Sequence, residues 1–198
     1  MEIVPTRSAF LELREERHVM QEGFQFLDEK RLLLAAELIR QGEFHRQVKG
    51  RWEEAWRHAQ ATLREAVGRH GLAELGAYPA AAAAVRIQRR TREFFGVRLC
   101  QATMEVQSVG PAPAPLNPTP EARRCAEAFG ALLPLSVELS AVEGNLRRLL
   151  AEYRRTERRA RALEDVILPE VEETLTLIGS ALEELDQEEA VRVRLKRG

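Results

Sequence analysis

Two segments at opposite ends of the chain carry a seven-residue repeat, and nothing else in the sequence constrains the fold as tightly. In the first, Phe10, Arg17, Phe24, Arg31 and Leu38 recur every seven residues, with Leu13, Met20, Leu27 and Leu34 in a companion row. In the second, Leu139, Leu146, Tyr153, Ala160 and Ile167 repeat beside Val142, Leu149, Thr156 and Leu163. Two such positions in seven form the seam of a coiled coil, a narrower stripe than a globular-domain helix presents. Each segment runs for roughly 60–75 residues, which as helix would extend about 100 Å. A compact domain of this chain length has a radius of gyration of only about 16 Å. Helices of that length do not fit a globule.

The pattern predicts an all-α fold. Its body is a long antiparallel two-helix coiled coil of N- and C-terminal helices, with a small central insert containing a β-hairpin. Residues 1–75 form the first helix, with Thr6 as N-cap and Gly68, Gly71, Gly76 and Pro79 ending it between about 67 and 76. Residues 76–120 form the insert. Within it an alanine run, Ala80 to Ala84, leads into alternation in which Val85 and Ile87 point in while Arg86 and Gln88 point out. With Phe94-Phe95-Gly96 as the turn, this reads as a hairpin over about 84–107. GPAPAPLNPTP at 110–120 is an exposed, stiff link of polyproline II type. Residues 121–198 form the second helix. Thr119, Pro120 and Glu121 supply its cap, first position and first-turn acid. Gly130 and Pro134 are expected to bend or interrupt its start. Pro169 lies inside it, and the seam changes phase there, continuing as Val171, Leu175, Ile178, Leu182 and Leu185. That stutter predicts local unwinding of the supercoil, with a bend or a straightening near Pro169.

The polar seam residues suggest a register. In an antiparallel coil Arg17 and Arg31 would oppose Glu184 and Glu170, pairs whose numbers add to 201. The same offset sets Leu34 against Ile167, Leu38 against Leu163, Phe24 against Leu177 and Trp52 against Leu149. Using the shifted stripe, Met20 meets Leu182 and Leu27 meets Leu175. A charge at the seam edge can also simply snorkel to solvent.

Chemistry is absent from this pattern. No phosphate-cradling glycine loop, no dinucleotide fingerprint and no nucleophile elbow occurs. His18, His45, His58 and His70 lack metal-ligand spacing, and Cys100 and Cys125 form no CxxC. No catalytic residue, cofactor or metal is expected, and the chain reads as a non-enzyme. A formal net charge of −1 argues against a nucleic-acid partner, which would need a cationic excess. The run Arg154-Arg155-Thr156-Glu157-Arg158-Arg159 reads as a solvated face before it reads as an anion grip. No signal peptide and no apolar run of about 18 residues is apparent, so a cytoplasmic chain that does not span a bilayer is expected. Trp52 and Trp56, one turn apart, either pack under the insert or anchor a partner protein.

Taken together these residues resemble the D subunit of the V-type (A/V-type) ATPases and ATP synthases, the central rotor stalk. Pro5-Thr6-Arg7 and the leucine-rich helix reaching Lys30-Arg31 look like that family's first helix. The stretch from Arg158-Arg159 through Ala162-Leu163-Glu164 and Ile167-Leu168-Pro169 is similar to its R-R-x-x-A-L-E-x-V-x-I-P pattern, in-helix proline included. Glu189 through Arg194-Leu195-Lys196 resembles its terminus, and Phe95-Gly96-Val97 its short β element. The proline-rich link departs from the family.

The resemblance implies a non-catalytic rotor that couples transmembrane ion (proton) flow to ATP synthesis or hydrolysis. The paired termini would enter a head of catalytic A and regulatory B subunits, making Arg7, Arg192, Arg194, Lys196 and Arg197 candidate head contacts. The small F subunit of the stalk and a funnel-like subunit joining the membrane ring would be the other partners, with the complex on the inner face of the cell membrane. A static coiled-coil scaffold shares the heptads but does not require the insert and the C-terminal motif together.

Overall fold

The computed structural model describes residues 5–79, 83–108, 115 and 117–197. Ala80 to Ala82 and residues 109–114 and 116 of the link lie outside that set, as do the side chains of Lys196 and Arg197. Helix α1 spans Arg7–Gly76, strand β1 Ala83–Phe94, strand β2 Val97–Ser108 and helix α2 Pro120–Ala162. A π-helical turn at Leu163–Ile167 then joins α2 to helix α3, Leu168–Arg197. The elements divide between two compact units. One combines Met1–Ala35 with Glu152–Gly198, and the other is Ala36–Ala151.

The predicted heptads are visible in burial. Along α1 the shielded positions include Phe10, Leu13, Arg17, Met20, Phe24, Leu27, Arg31 and Leu34, then Gln41, Val48, Ala59, Thr62 and Ala66. The stripe thus extends well beyond the repeat first recognised, because small residues replace the long ones without changing the period. Thr6 caps the helix by accepting the Ala9 N–H at 3.2 Å. At the other end Gly71 leaves helical geometry with φ +75°, a left-handed conformation that glycine adopts at least cost. The second helix restarts as expected, Thr119 Oγ1 accepting the Ala122 N–H at 3.4 Å.

Two expectations are corrected here, and a third takes a specific form. Pro134 does not interrupt the second helix, since α2 passes through it unbroken. The carbonyl crowded by its ring belongs to Gly130, four residues back, where no side chain stiffens the backbone. The phase change near Pro169 takes a local form, one wide turn of the helix. Leu163, Ile167 and Val171 are spaced four and four, and the extra residue is taken up in one π-helical turn closed by Leu168 N–H to Leu163 O. Pro169, which has no N–H to give, follows directly. Finally, an apolar run of 18 residues does exist. The stretch 125–142 reaches a mean hydropathy of 1.4 with two charged residues, enough by length and composition to cross a membrane. Alanine, leucine and valine raise that average within a helix whose Ala128, Leu132 and Val142 are buried against protein.

The seam charges do not meet as the sequence suggested. In the unit built from the chain ends, Arg17 Nη1 lies 3.8 Å from Glu172, not Glu184, and Arg31 pairs with Asp28 of its own helix at 2.6 Å. Glu170 and Glu184 are exposed. The Phe10 ring lies over Gly179, 3.6 Å from where a β-carbon would stand. In the other unit Trp52 Nε1 donates to Ser136 Oγ at 2.9 Å, whereas Leu149 had been expected opposite it. The helices are antiparallel, but the offset differs by about twelve residues, or about 18 Å of helix. In that same unit His70 and Thr119 are hydrogen-bonded where α1 ends and α2 begins. The charge matching suggested along the seam is not what the observed pairs show.

Strands β1 and β2 form a two-stranded antiparallel sheet, one residue longer at each end than predicted. Phe95 (φ 47°) and Gly96 (φ 82°) are both left-handed, the geometry of a two-residue type I′ turn that matches strand twist. The predicted in-facing Val85 and Ile87 are about half exposed. Only the turn end of the hairpin is packed, with Val97 and Leu99 nearly sealed.

Candidate functional site

The two tryptophans begin the site in the unit Ala36–Ala151. Their rings stack at 5.6 Å with planes 8° apart, the expected outcome for aromatic residues one helical turn apart. Trp56 meets Phe129 edge-on at 6.2 Å. Trp52 and Ala55 pack with Phe129 around a small core of Ala59, Ala128 and Leu132. Ser136, after accepting from Trp52, donates to Leu132 O at 2.9 Å. The tryptophans therefore pack on α2, not under the hairpin, while Trp56 stays 38% exposed beside Leu133 at 49%. An aromatic and aliphatic surface stands open there.

The hairpin is held beside this region by two polar anchors that the sequence reading missed. On α1, the buried Glu37 accepts from Arg40 at 2.5 and 2.8 Å, from Gln41 at 3.0 Å and from Arg92 of β1 at 2.8 Å. The Arg40 hydrogen bonds hold its carboxyl below the usual carboxylate range. Gln41 and the charges of Arg40 and Arg92 add to this, against the opposing effect of burial. On α2, the Asn145 carboxamide accepts the Cys100 N–H at 2.7 Å and donates to the Cys100 carbonyl at 2.9 Å. One side chain thus imitates a neighbouring strand on the outer edge of β2. Arg148 donates to Asn145 Oδ1 at 2.7 Å and to the Arg98 carbonyl at 2.9 Å. A groove of about 810 Å³ runs between hairpin and helices, lined by Phe44, Arg90, Met104, Leu135 and Glu138 among others. Glu37 and Asn145 each precede a seam leucine, Leu38 and Leu146. That flanking position was the available signal, though it is polar in most coiled coils.

In the unit of chain ends, Arg7 grips Asp186 with one nitrogen on both carboxylate oxygens, at 2.8 and 3.0 Å. Lys30 donates to Glu152 at 2.6 Å in a half-buried pair. Arg192 lies 3.5 Å from Glu188 and is exposed, as is Arg194. Of the seam residues named from sequence, Leu34 and Ile178 are buried, and Arg17, Phe24, Leu27, Arg31, Leu163 and Ile167 are partly shielded. Arg154, Arg155, Arg158 and Arg159 are all exposed, a solvated face. Among the described residues no group of three histidine, cysteine or acidic side chains is placed to hold a metal.

Long helices paired antiparallel within each unit, with one β-hairpin anchored on both helices of the second, define a helical-hairpin protein of stalk-like build. The chain belongs to the ATP synthase D-subunit family, whose model matches residues 9–197. It is similar to the V-type ATP synthase D subunit of Anaeromyxobacter dehalogenans (strain 2CP-C), 32% identical over 96% of this chain and 92% of that one. It is also similar to the A-type ATP synthase D subunit of Pyrococcus horikoshii, 29% identical over 98% and 92%, respectively. To the second V-type ATP synthase D subunit of Treponema pallidum the identity is 27%, over 94% and 90%.

Proposed function

We propose that this chain is the central-stalk rotor of a V/A-type ATP synthase or ATPase, without catalytic residues of its own. It couples transmembrane ion (proton) flow to ATP synthesis or hydrolysis by rotating inside the head. The reading is carried by one observation beside the family membership. Arg7 and Asp186 meet, so segments from both chain ends run side by side in one unit, as an axle tip requires. Catalytic A and regulatory B subunits would contact that tip through Arg7, Arg192, Arg194, Lys196 and Arg197. A rigid body turning among them biases their states by differential contact. The open Trp52–Trp56 surface suits the small F subunit of the stalk, and a funnel-like subunit would join the chain to the membrane ring. The reading places the chain peripherally, on the inner face of the membrane, as part of the complex.

The test is a reversible tether. A cysteine replacing Arg192 or Arg194 is oxidised onto one placed on the inner wall of the head. Ion-coupled turnover should stop after at most a partial cycle and return with reductant. Unchanged turnover with both this tether and a second one nearer mid-coil fully formed would defeat the proposal.

A further inference from the structure

We infer that the hairpin is a diagonal brace that prevents α1 and α2 from sliding past each other, with Glu37 and Asn145 as its positioning residues. The inference concerns the unit Ala36–Ala151 alone and does not depend on the rotor reading. Its basis is that the two strands are anchored on different helices. Strand β1 is held by Arg92 to Glu37 of α1, and β2 by Cys100 to Asn145 of α2. Arg92 faces Leu99 in the strand ladder, next to Cys100. The path from one helix to the other therefore passes through two side-chain anchors and a single rung of the sheet.

The anchors are also offset. Trp52 with Ser136, and His45 with Glu143, set the local helix register, each pair adding to 188. In that register Asn145 stands opposite residue 43, six positions from Glu37, or about 9 Å along the helix. A cross-link perpendicular to two rods resists their separation but lets them shear. One that runs at a slant must lengthen or shorten when they shear. Farther along the same two helices the seam is built of Ala55, Ala59, Ala66, Ala122 and Ala128, shallow knobs that specify register weakly, so a brace near Glu37 and Asn145 supplies a restraint which that stretch lacks. The helix-side ends of both anchors are buried, Glu37 at 7% and Asn145 at 3% exposure, while the Arg92 side chain that reaches Glu37 is about half exposed. Arg148 reinforces the second by bonding both Asn145 and the Arg98 carbonyl.

Distance measurement between spin labels tests this on the full chain, with Cys100 and Cys125 replaced by serine. Labels at Arg57→Cys and Arg147→Cys are both exposed and lie far apart along the axis, so sliding changes their separation directly. With the brace intact one narrow distance is expected. Arg92→Ala leaves both helices untouched and should broaden the distribution; adding Asn145→Ala should shift or split it by about 5 Å, one helical turn. Helical circular dichroism should be kept in Arg92→Ala. A merely stabilising hairpin would lower the melting temperature and leave the distance narrow. A narrow, unshifted distribution in Arg92→Ala, and in the double variant where that folds, overturns the brace.

Discussion

Arg92 reaches Glu37 across 55 residues of sequence and bonds a carboxylate that three donors already surround. Glu37 is almost wholly buried, yet the surrounding guanidinium groups keep it ionised below the usual carboxylate range. A depressed folded-state pKa contributes stability that is complete above the unfolded-state value, and is lost as pH falls through the folded one. The wild-type chain should therefore lose stability on acidification below about pH 4.5, with the slope partly abolished in Glu37→Gln. At neutral pH, Glu37→Ala should cost about 1–3 kcal/mol by denaturant unfolding, the range for a buried charged hydrogen-bonding group. A melting curve with the same acid slope in both proteins would contradict the assignment.

Helix register is testable by thiol cross-linking. Arg17→Cys with Glu172→Cys should be bridged by a short bifunctional thiol reagent, whose span replaces the two long side chains that meet at 3.8 Å. Phe24→Cys with Ile178→Cys, sites about one dozen residues out of register, should remain unlinked under the same conditions. Cross-linking of the second pair in preference to the first would restore the register that seam charges alone suggest.

Thr156 is 1% exposed and its hydroxyl finds no hydrogen-bond partner among the described residues. Burying an unsatisfied hydroxyl costs free energy, while valine has the same shape and no polar atom. Thr156→Val should stabilise the chain by about 1 kcal/mol, read from the denaturant midpoint at unchanged slope. Destabilisation would mean that the hydroxyl is in fact bonded.

The tryptophans should separate by role. Trp52 packs on the alanine core and bonds Ser136, so Trp52→Ala should cost about 3 kcal/mol or more of stability. Trp56 is more open, and Trp56→Ala should move the melting temperature less. If the surface takes the small stalk partner, that substitution should weaken its binding by at least tenfold in calorimetric titration, or about 1.4 kcal/mol. Equal affinity for the wild type and Trp56→Ala would remove the surface as a docking site.

The helices and hairpin were legible because their signals are local. A period of seven shows in any thirty residues, and Thr6, Thr119 and Phe95-Gly96 mark their own boundaries. Which residues oppose one another was not legible. That includes His70 meeting Thr119 across an insert whose path no local pattern gives. Many acids lie near many arginines, so the matching of Arg17 to Glu184 had competitors of equal merit, and Glu172 was one. Glu37 and Asn145 went unnoticed for a similar reason. A glutamate or asparagine on a coil flank is ordinary until a strand from far along the chain arrives beside it. The half-exposed Val85 and Ile87 show the converse, for a period of two states which residues share a face without stating that the face is covered.

The wide turn at Leu163–Ile167 sets the azimuth of everything beyond it. On one arm of the end unit the residues advance with an even cadence; on the other the cadence changes once. Val166 is half exposed ahead of Pro169, while Leu177 at 71% and Leu185 at 52% open after it. No turn of that surface about its own axis, by any simple fraction, lays its outward side chains back on themselves. If it turns among symmetric neighbours, as proposed, each of them meets a different face at any instant.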